Sequence, residues 1–192
     1  MRLKSIIAIV ASLLLALSIG CSENRANSPD VKDRVSKSLD NAGFKDLKVD
    51  VNQDKQLITL SGDVRSQEDK DRAEQLAKES ANGFVVSNEI GIRPAGDETT
   101  ARKIDTNVDT AIEKDFKAVV IANRLDDQHL KYSAKNGVLT LKGTVDSTGT
   151  RENLEKLASS VPNVQQVVNE LDIKGAKRGR NPVPATRPAP AP

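Results

Sequence analysis

The chain has 192 residues, which is enough for one ordinary domain or two small ones. It contains 29 basic and 27 acidic residues but no Trp, one Tyr and three Phe. So few aromatic side chains exclude the base-stacking surfaces of proteins that bind single-stranded nucleic acid, and we expect no nucleic-acid partner.

The first twenty residues predict an export signal. Arg2 and Lys4 form a positive start, and an apolar stretch follows from Ile6 to Leu17, broken only by Ser12. A helix that spans a bilayer needs roughly 20 apolar residues, so this stretch is too short for one. We therefore assign residues 1–20 to a signal peptide and residues 21–28 to a short tether.

Cys21 is the only cysteine of the chain and directly follows Gly20. Residues 17–21 resemble the lipobox of bacterial lipoproteins, with Leu17 one position earlier than usual. We predict that Cys21 carries the lipid, because each buried methylene contributes about 0.8 kcal/mol and two or three acyl chains anchor a protein stably. In lipoproteins of enteric bacteria, Asp after the cysteine is associated with retention in the inner membrane, so by this resemblance Ser22 implies the outer membrane, facing the periplasm. The alternative is an ordinary secretory signal, with Cys21 removed or left as a free thiol.

Residues 29–93 are predicted to form a first folded unit. Val31, Val35 and Leu39 recur every four residues, as on an amphipathic helix, and the apolar residues of 47–51 alternate, as on a half-buried strand. A second strand (57–64), a second helix after the N-cap Ser66 and a third strand ending at Ile92 complete the order.

A second unit, residues 104–173, repeats the first at a constant offset of 81. Residues 57–64 align without a gap with 138–145, and residues 86–92 align with 167–173. Residues 94–103 are predicted to be the linker, because they include Pro94 and Gly96. The fold class is therefore α+β: two tandem units, each helix-strand-strand-helix-strand, with a small three-stranded sheet covered by two helices. Units this small are marginally stable alone, so we expect them to pack together.

Residues 174–192 are predicted to be a disordered tail. They hold five basic residues, no acidic residue and most of the prolines, a composition that favours an extended polyproline conformation. Residues 21–173 carry a net charge of −5 and the tail a net charge of +5. The tail would be an inert, solubilising end or a contact to peptidoglycan or an anionic membrane.

Two short motifs recur in both units. The first copy has Gly62–Val64 and Val86–Ile90, and the second has Gly143–Val145 and Val167–Leu171. These segments resemble the BON domain (bacterial OsmY and nodulation), with its Gly-x-Val and Val-x-Asn-x-Leu/Ile motifs. We interpret the shared residues as requirements of the fold and not as ligand-binding groups: Gly62, Val64, Asn88, Gly143, Val145 and Asn169.

The resemblance implies an exported protein or lipoprotein linked to osmotic or envelope stress. It also implies binding to a phospholipid surface or another envelope component, such as a protein partner, in support of envelope integrity. Both units are acidic, with 10 basic against 13 acidic residues in 30–92 and 8 against 11 in 104–173, so contact with anionic phospholipid needs a local basic patch. The candidates for such a patch are Lys114, Lys117, Arg151 and Lys156. The alternative is a soluble periplasmic stress protein with chaperone-like or small-ligand binding.

The sequence offers no catalytic constellation, and we predict that the protein is not an enzyme. His129 is the only histidine, and one histidine with one lipidated cysteine cannot supply a zinc site. The pair Asp126 and Asp127 is interpreted as a solvated loop and not as a cation site. No cofactor and no metal is expected.

Overall fold

The computed structural model describes residues 30–126 and 129–175, together with the backbone of residues 187–188. Unit 1 consists of α1 (Val31–Asn41), β1 (Lys48–Asn52), β2 (Leu57–Val64), α2 (Gln67–Ser80) and β3 (Val85–Ile92). Unit 2 consists of α3 (Glu98–Ala122), β4 (His129–Lys135), β5 (Val138–Val145), α4 (Thr148–Ser159) and β6 (Gln166–Ile173), and Arg187–Pro188 form β7. The α+β class and the duplicated helix-strand-strand-helix-strand order are confirmed.

Both sheets have the same connectivity. β1 pairs with β2 and β4 with β5 in antiparallel hairpins, whereas β2 pairs with β3 and β5 with β6 in parallel. Parallel neighbours need a crossover, which α2 and α4 provide. The hairpin of unit 2 closes through Asn136 and Gly137, whose φ angles of 49° and 80° are those of a type I′ turn.

Each unit has its own apolar core beneath its helices. In unit 1, Val35 and Leu39 of α1 pack with Ile58, Leu60 and residues of α2 and β3. The core of unit 2 is also mainly aliphatic, but it includes the fully buried Phe116, whose ring meets that of Tyr132 edge-on at a centroid distance of 5.1 Å. The predicted N-caps are confirmed: the Ser66 and Ser147 hydroxyls accept hydrogen bonds from Asp69 N and Thr150 N.

The linker is shorter than predicted. α3 begins at Glu98, so residues 98–103 of the expected linker 94–103 are helical. Arg93, just after β3, forms ion pairs with Asp105 of α3 and with Asp63, and these contacts hold the first turns of the helix against unit 1. The prediction stopped at the loop-forming residues and missed these contacts, which stabilise the added turns.

The tail also differs from the prediction at two residues. Arg187 and Pro188 pair with Val167 and Gln166 at the start of β6, because β6 is otherwise an edge strand with open hydrogen-bonding groups. The rest of the tail beyond residue 175, the signal peptide, Cys21 and the tether lie outside the described residues.

The two units pack against each other across the faces of their sheets that carry no helices. Four buried side chains form a separate apolar cluster there: Leu57, Val85, Val138 and Val168. The polar contacts are reciprocal, since Lys55 Nζ donates to Glu170 O at 3.2 Å and Asn136 Nδ2 donates to Glu89 O at 2.7 Å. At the offset of 81, Lys55 corresponds to Asn136 and Glu89 to Glu170, so the units are related by an approximate two-fold axis.

The open edge of β3 is covered by one side chain of unit 2. The amide of Gln166 donates from Nε2 to Val86 O at 2.8 Å and accepts from Asn88 N at 3.0 Å. These two bonds replace those of a neighbouring strand. The open backbone hydrogen-bonding groups at the edge of unit 1 are therefore satisfied by a side chain of unit 2, which couples the two units.

Candidate functional site

The backbone conformation at two motif positions requires glycine. Gly62 and Gly143 have φ angles of +122° and +124°, which side chains with a Cβ rarely adopt. A Cβ at Gly143 would overlap the carbonyl oxygen of His129 on β4. The motif valines are apolar packing residues: Val145 is buried and Val64 is half-buried against the core. In the structure, all four residues have backbone or packing roles.

The motif asparagines join the last strand of each unit to its second helix. Asn88 Nδ2 donates to Glu74 Oε2 at 2.8 Å and to Lys70 O at 3.4 Å, both on α2. Asn169 makes the corresponding bonds to Glu155 and to Arg151 O on α4, at 2.9 and 3.3 Å. With their amides bonded within the unit, both asparagines act as clamps between strand and helix.

His129 lies exposed at the start of β4. No group of three or more His, Cys, Asp or Glu side chains in the described residues is arranged to hold a metal ion. Across these same residues, none of the helices combines the length and the apolar character that crossing a membrane requires.

The four basic candidates do not form one patch. Lys114 and Lys117 are exposed on α3, whereas Lys156 is exposed and Arg151 half-buried on α4. Arg151 and Lys156 are five residues apart, which places them about 140° apart around the helix. Only Lys114 and Lys117 share a face.

Three acidic residues of α3 are turned toward the protein. Asp105 pairs with Arg93, and Glu113 Oε1 accepts from Ala134 N at 2.9 Å. Asp109 accepts from the backbone N–H groups of Asn136 and Gly137 at 2.9 and 3.0 Å, so it caps the hairpin turn. Three of the five acids of this helix are therefore engaged in the fold of their own chain.

The basic residues of α3 are instead turned toward solvent. Lys103, Lys114, Lys117 and Ile121 lie within an arc of about 60° on the exposed side of the helix. In the described part of the chain, none of these three lysines forms an ion pair. Ile121 is 52% exposed, and Ile104, nearer the start of the helix, is 56% exposed. We call these five residues the α3 outer face; Ile104 lies at one edge of it, about 100° around the helix from Lys103.

Sequence reasoning found two of these five residues. Lys103 was assigned to the linker and the isoleucines were not singled out, although the helical period of Lys114, Lys117 and Ile121 is visible in the sequence. The offset of 81 carries a further signal, since the corresponding positions of unit 1 hold Asp33, Ser36 and Asp40. The basic and apolar outer face is specific to unit 2.

A protein-family model for the BON domain matches residues 27–94 and 108–175. A curated relative, osmotically-inducible protein Y of Escherichia coli (strain K12), is 31% identical over 137 residues, which are 71% of this chain and 67% of that protein. A solved structure of the C-terminal domain of CdsD, a structural protein of the type III secretion system of Chlamydia trachomatis, is 11% identical, with a TM-score of 0.31 over 77% of this chain and 98% of that one. A second CdsD structure is 16% identical, with a TM-score of 0.27 over 74% of this chain and 60% of that one. These low scores carry no argument, but the two family matches cover more than half of the sequence, and the chain therefore belongs to the BON domain family.

Proposed function

We propose that this protein is a non-enzymatic envelope lipoprotein that docks the α3 outer face on an anionic phospholipid surface and supports the envelope under osmotic stress. The observation that carries this proposal is the segregation of charge on α3. Its lysines and two exposed isoleucines face solvent, while Asp105, Asp109 and Glu113 bond inward.

This segregation provides the local patch that an acidic unit needs. A basic residue near an anionic membrane contributes about 1 kcal/mol, so Lys103, Lys114 and Lys117 together supply about 3 kcal/mol. Ile104 and Ile121 add apolar area that the interfacial region of a bilayer can bury. The exposed Asp115 nearby reduces this attraction by one charge. Three lysines against one aspartate still leave the surface net positive.

The proposed anchor and the proposed docking face reinforce each other. Eight residues lie between Cys21 and Asp30, which makes nine steps along the chain. Because each step spans at most about 3.3–3.6 Å, a lipid on Cys21 would hold the start of α1 within about 30 Å of the membrane. At that distance, weak docking by α3 becomes effectively intramolecular. The osmotic role is supported by the 31% identity to osmotically-inducible protein Y.

Vesicle sedimentation tests the docking face. Residues 22–192 would be mixed with phosphatidylglycerol-containing vesicles and, separately, with phosphatidylcholine vesicles. We expect binding to the first that weakens as salt rises, and a loss of about 30-fold in Lys114→Ala/Lys117→Ala, which corresponds to about 2 kcal/mol.

The matched control is Lys32→Ala/Lys37→Ala, which removes the same charge from two exposed positions of α1. An equal loss in this control would show that only bulk charge matters and would overturn the docking face. A variant that lacks residues 174–192 should bind nearly as well as the full chain; loss of binding would assign the contact to the basic tail.

Palmitate incorporation tests the anchor separately. We expect labelled palmitate on the full-length protein and none on Cys21→Ala, with the wild-type protein in the outer-membrane fraction. A mature protein that is unlabelled and recovered without detergent would instead support the soluble periplasmic alternative.

A further inference from the structure

A second feature of the molecule lies between the two units, away from the α3 outer face. A cavity of about 710 Å³ is bounded by α2, the end of β3, the first half of α3, the β4–β5 turn and the segment between α4 and β6. Its size is within the range of small-molecule sites, which is about 300–1,000 Å³. Its walls include half-buried apolar side chains from both units, Ile92 of unit 1 and Val108 of unit 2.

A buried lysine lines this cavity. Lys70 of α2 is only 5% exposed, and among the described residues its ammonium has no hydrogen bond and no carboxylate within 4 Å. Burial lowers the pKa of Lys70 from its ordinary value of 10.5, an effect that the more distant charges of Glu74 and Asp105 partly oppose. The ammonium is not among the fully enclosed polar atoms that lack a partner, so it reaches the open space of the cavity, where an anion could contact it.

The acids that line the cavity do not supply this contact. Asp109 is bonded to the turn of the β4–β5 hairpin, and Asp105 is paired with Arg93. Their charges nevertheless disfavour a ligand with two negative charges. A second donor is available, because the exposed amide of Gln165 lines both this cavity and the adjoining one that Lys70 also lines.

We propose that the cleft between the units binds a small monocarboxylate with an apolar body, with the carboxylate held by Lys70 and Gln165. The apolar part lies against the isoleucine and valine walls contributed by both units. Ligand binding would therefore also strengthen the packing of unit 1 on unit 2. This site is independent of the phospholipid contact, which uses the opposite side of α3.

Calorimetric titration of residues 22–192 without vesicles tests the proposal. The probes are octanoate, N-acetylleucine as a mimic of a peptide carboxyl terminus, and octanamide, which has the shape of octanoate without its charge. We expect octanoate to bind at least tenfold more tightly than octanamide, and whether octanoate or N-acetylleucine binds more tightly identifies the source of the ligand. Octyl phosphate should bind more weakly than octanoate.

The variant Lys70→Met should bring octanoate binding down to the level of octanamide. Its matched control is Arg151→Met, which changes the corresponding residue of unit 2, outside the cavity, and should keep the preference for the carboxylate. In the unaltered protein, ¹³C NMR of the Lys70 side chain should show its pKa rising when octanoate binds. An unchanged Lys70 pKa, equal binding of octanoate and octanamide, or a preference that survives in Lys70→Met would overturn the proposal.

Discussion

Replacing Gly143 by Ala should destabilise unit 2 more than the equivalent change at Gly62 destabilises unit 1. Both glycines have φ near +120°, and a side chain in such a conformation costs about 1–3 kcal/mol. At Gly62 the added Cβ would lie 3.0 Å from Leu47 Cδ2 and 3.1 Å from Asp46 O, which small shifts relieve. At Gly143 it would overlap the carbonyl oxygen of His129, which moves only with the β4 backbone.

The steric overlap should add about 1–3 kcal/mol, the usual cost of overpacking, so Gly143→Ala should lose about 2–6 kcal/mol in all. That is a large share of the few kcal/mol that hold a unit of this size together. Gly83→Ala is the matched control, because Gly83 has φ of +88° but no atom within 4 Å of its Cβ position. It isolates the conformational cost from the overlap.

Urea unfolding gives the free energy of unfolding of the three variants. Because the chain has no Trp, unfolding is followed by far-ultraviolet circular dichroism. With a slope of about 1–3 kcal/mol per molar urea, each extra 2 kcal/mol shifts the midpoint by about 1 M. We expect the losses in the order Gly143→Ala, Gly62→Ala, Gly83→Ala. If Gly62→Ala were as destabilising as Gly143→Ala, the overlap with β4 could not be the cause, and the reasoning would be refuted.

Three further predictions concern the strand-to-helix bonds of Asn88, the cover that Gln166 provides for the edge of β3, and the buried Lys70. Asn88→Ala should lower the free energy of unfolding by about 1–3 kcal/mol in urea, because Glu74 and the α2 backbone lose their donor. Gln166→Ala should speed hydrogen exchange at the backbone amide of Asn88 but not at that of Asn169. An exchange rate at Asn88 that is the same in the variant and the wild type would contradict the proposed role of Gln166 at the edge of β3. The lowered pKa of Lys70 means that the folded state binds fewer protons than the unfolded state between the folded pKa and about 10.5, so stability should rise with pH in that window. Thermal unfolding should show this rise in the wild type and not in Lys70→Met.

Much of each unit could be predicted because its signals are local. The repeat at an offset of 81 identified corresponding helices and strands, Ser66 and Ser147 mark helix starts, and Asn136–Gly137 encodes its own turn. The motif glycines could likewise be assigned to the fold, since a strand-borne glycine usually marks a special backbone conformation. The exception was the start of α3, where ion pairs of Arg93 extend a helix that local propensity places later.

The sequence by itself therefore determined the repeated architecture and the acidic character of both units, and it places the single cysteine at the end of the predicted export signal. Only the tertiary structure decided which charged side chains face solvent and which are engaged within the protein. Asn88 and Gln166 are 78 residues apart, and Lys55 and Glu170 are 115 apart, yet these pairs join the units. Periodicity records which face of an element is apolar, but it does not record which element packs on that face. The burial of Lys70 and the inward turn of the acids of α3 follow from that packing, which no local pattern encodes.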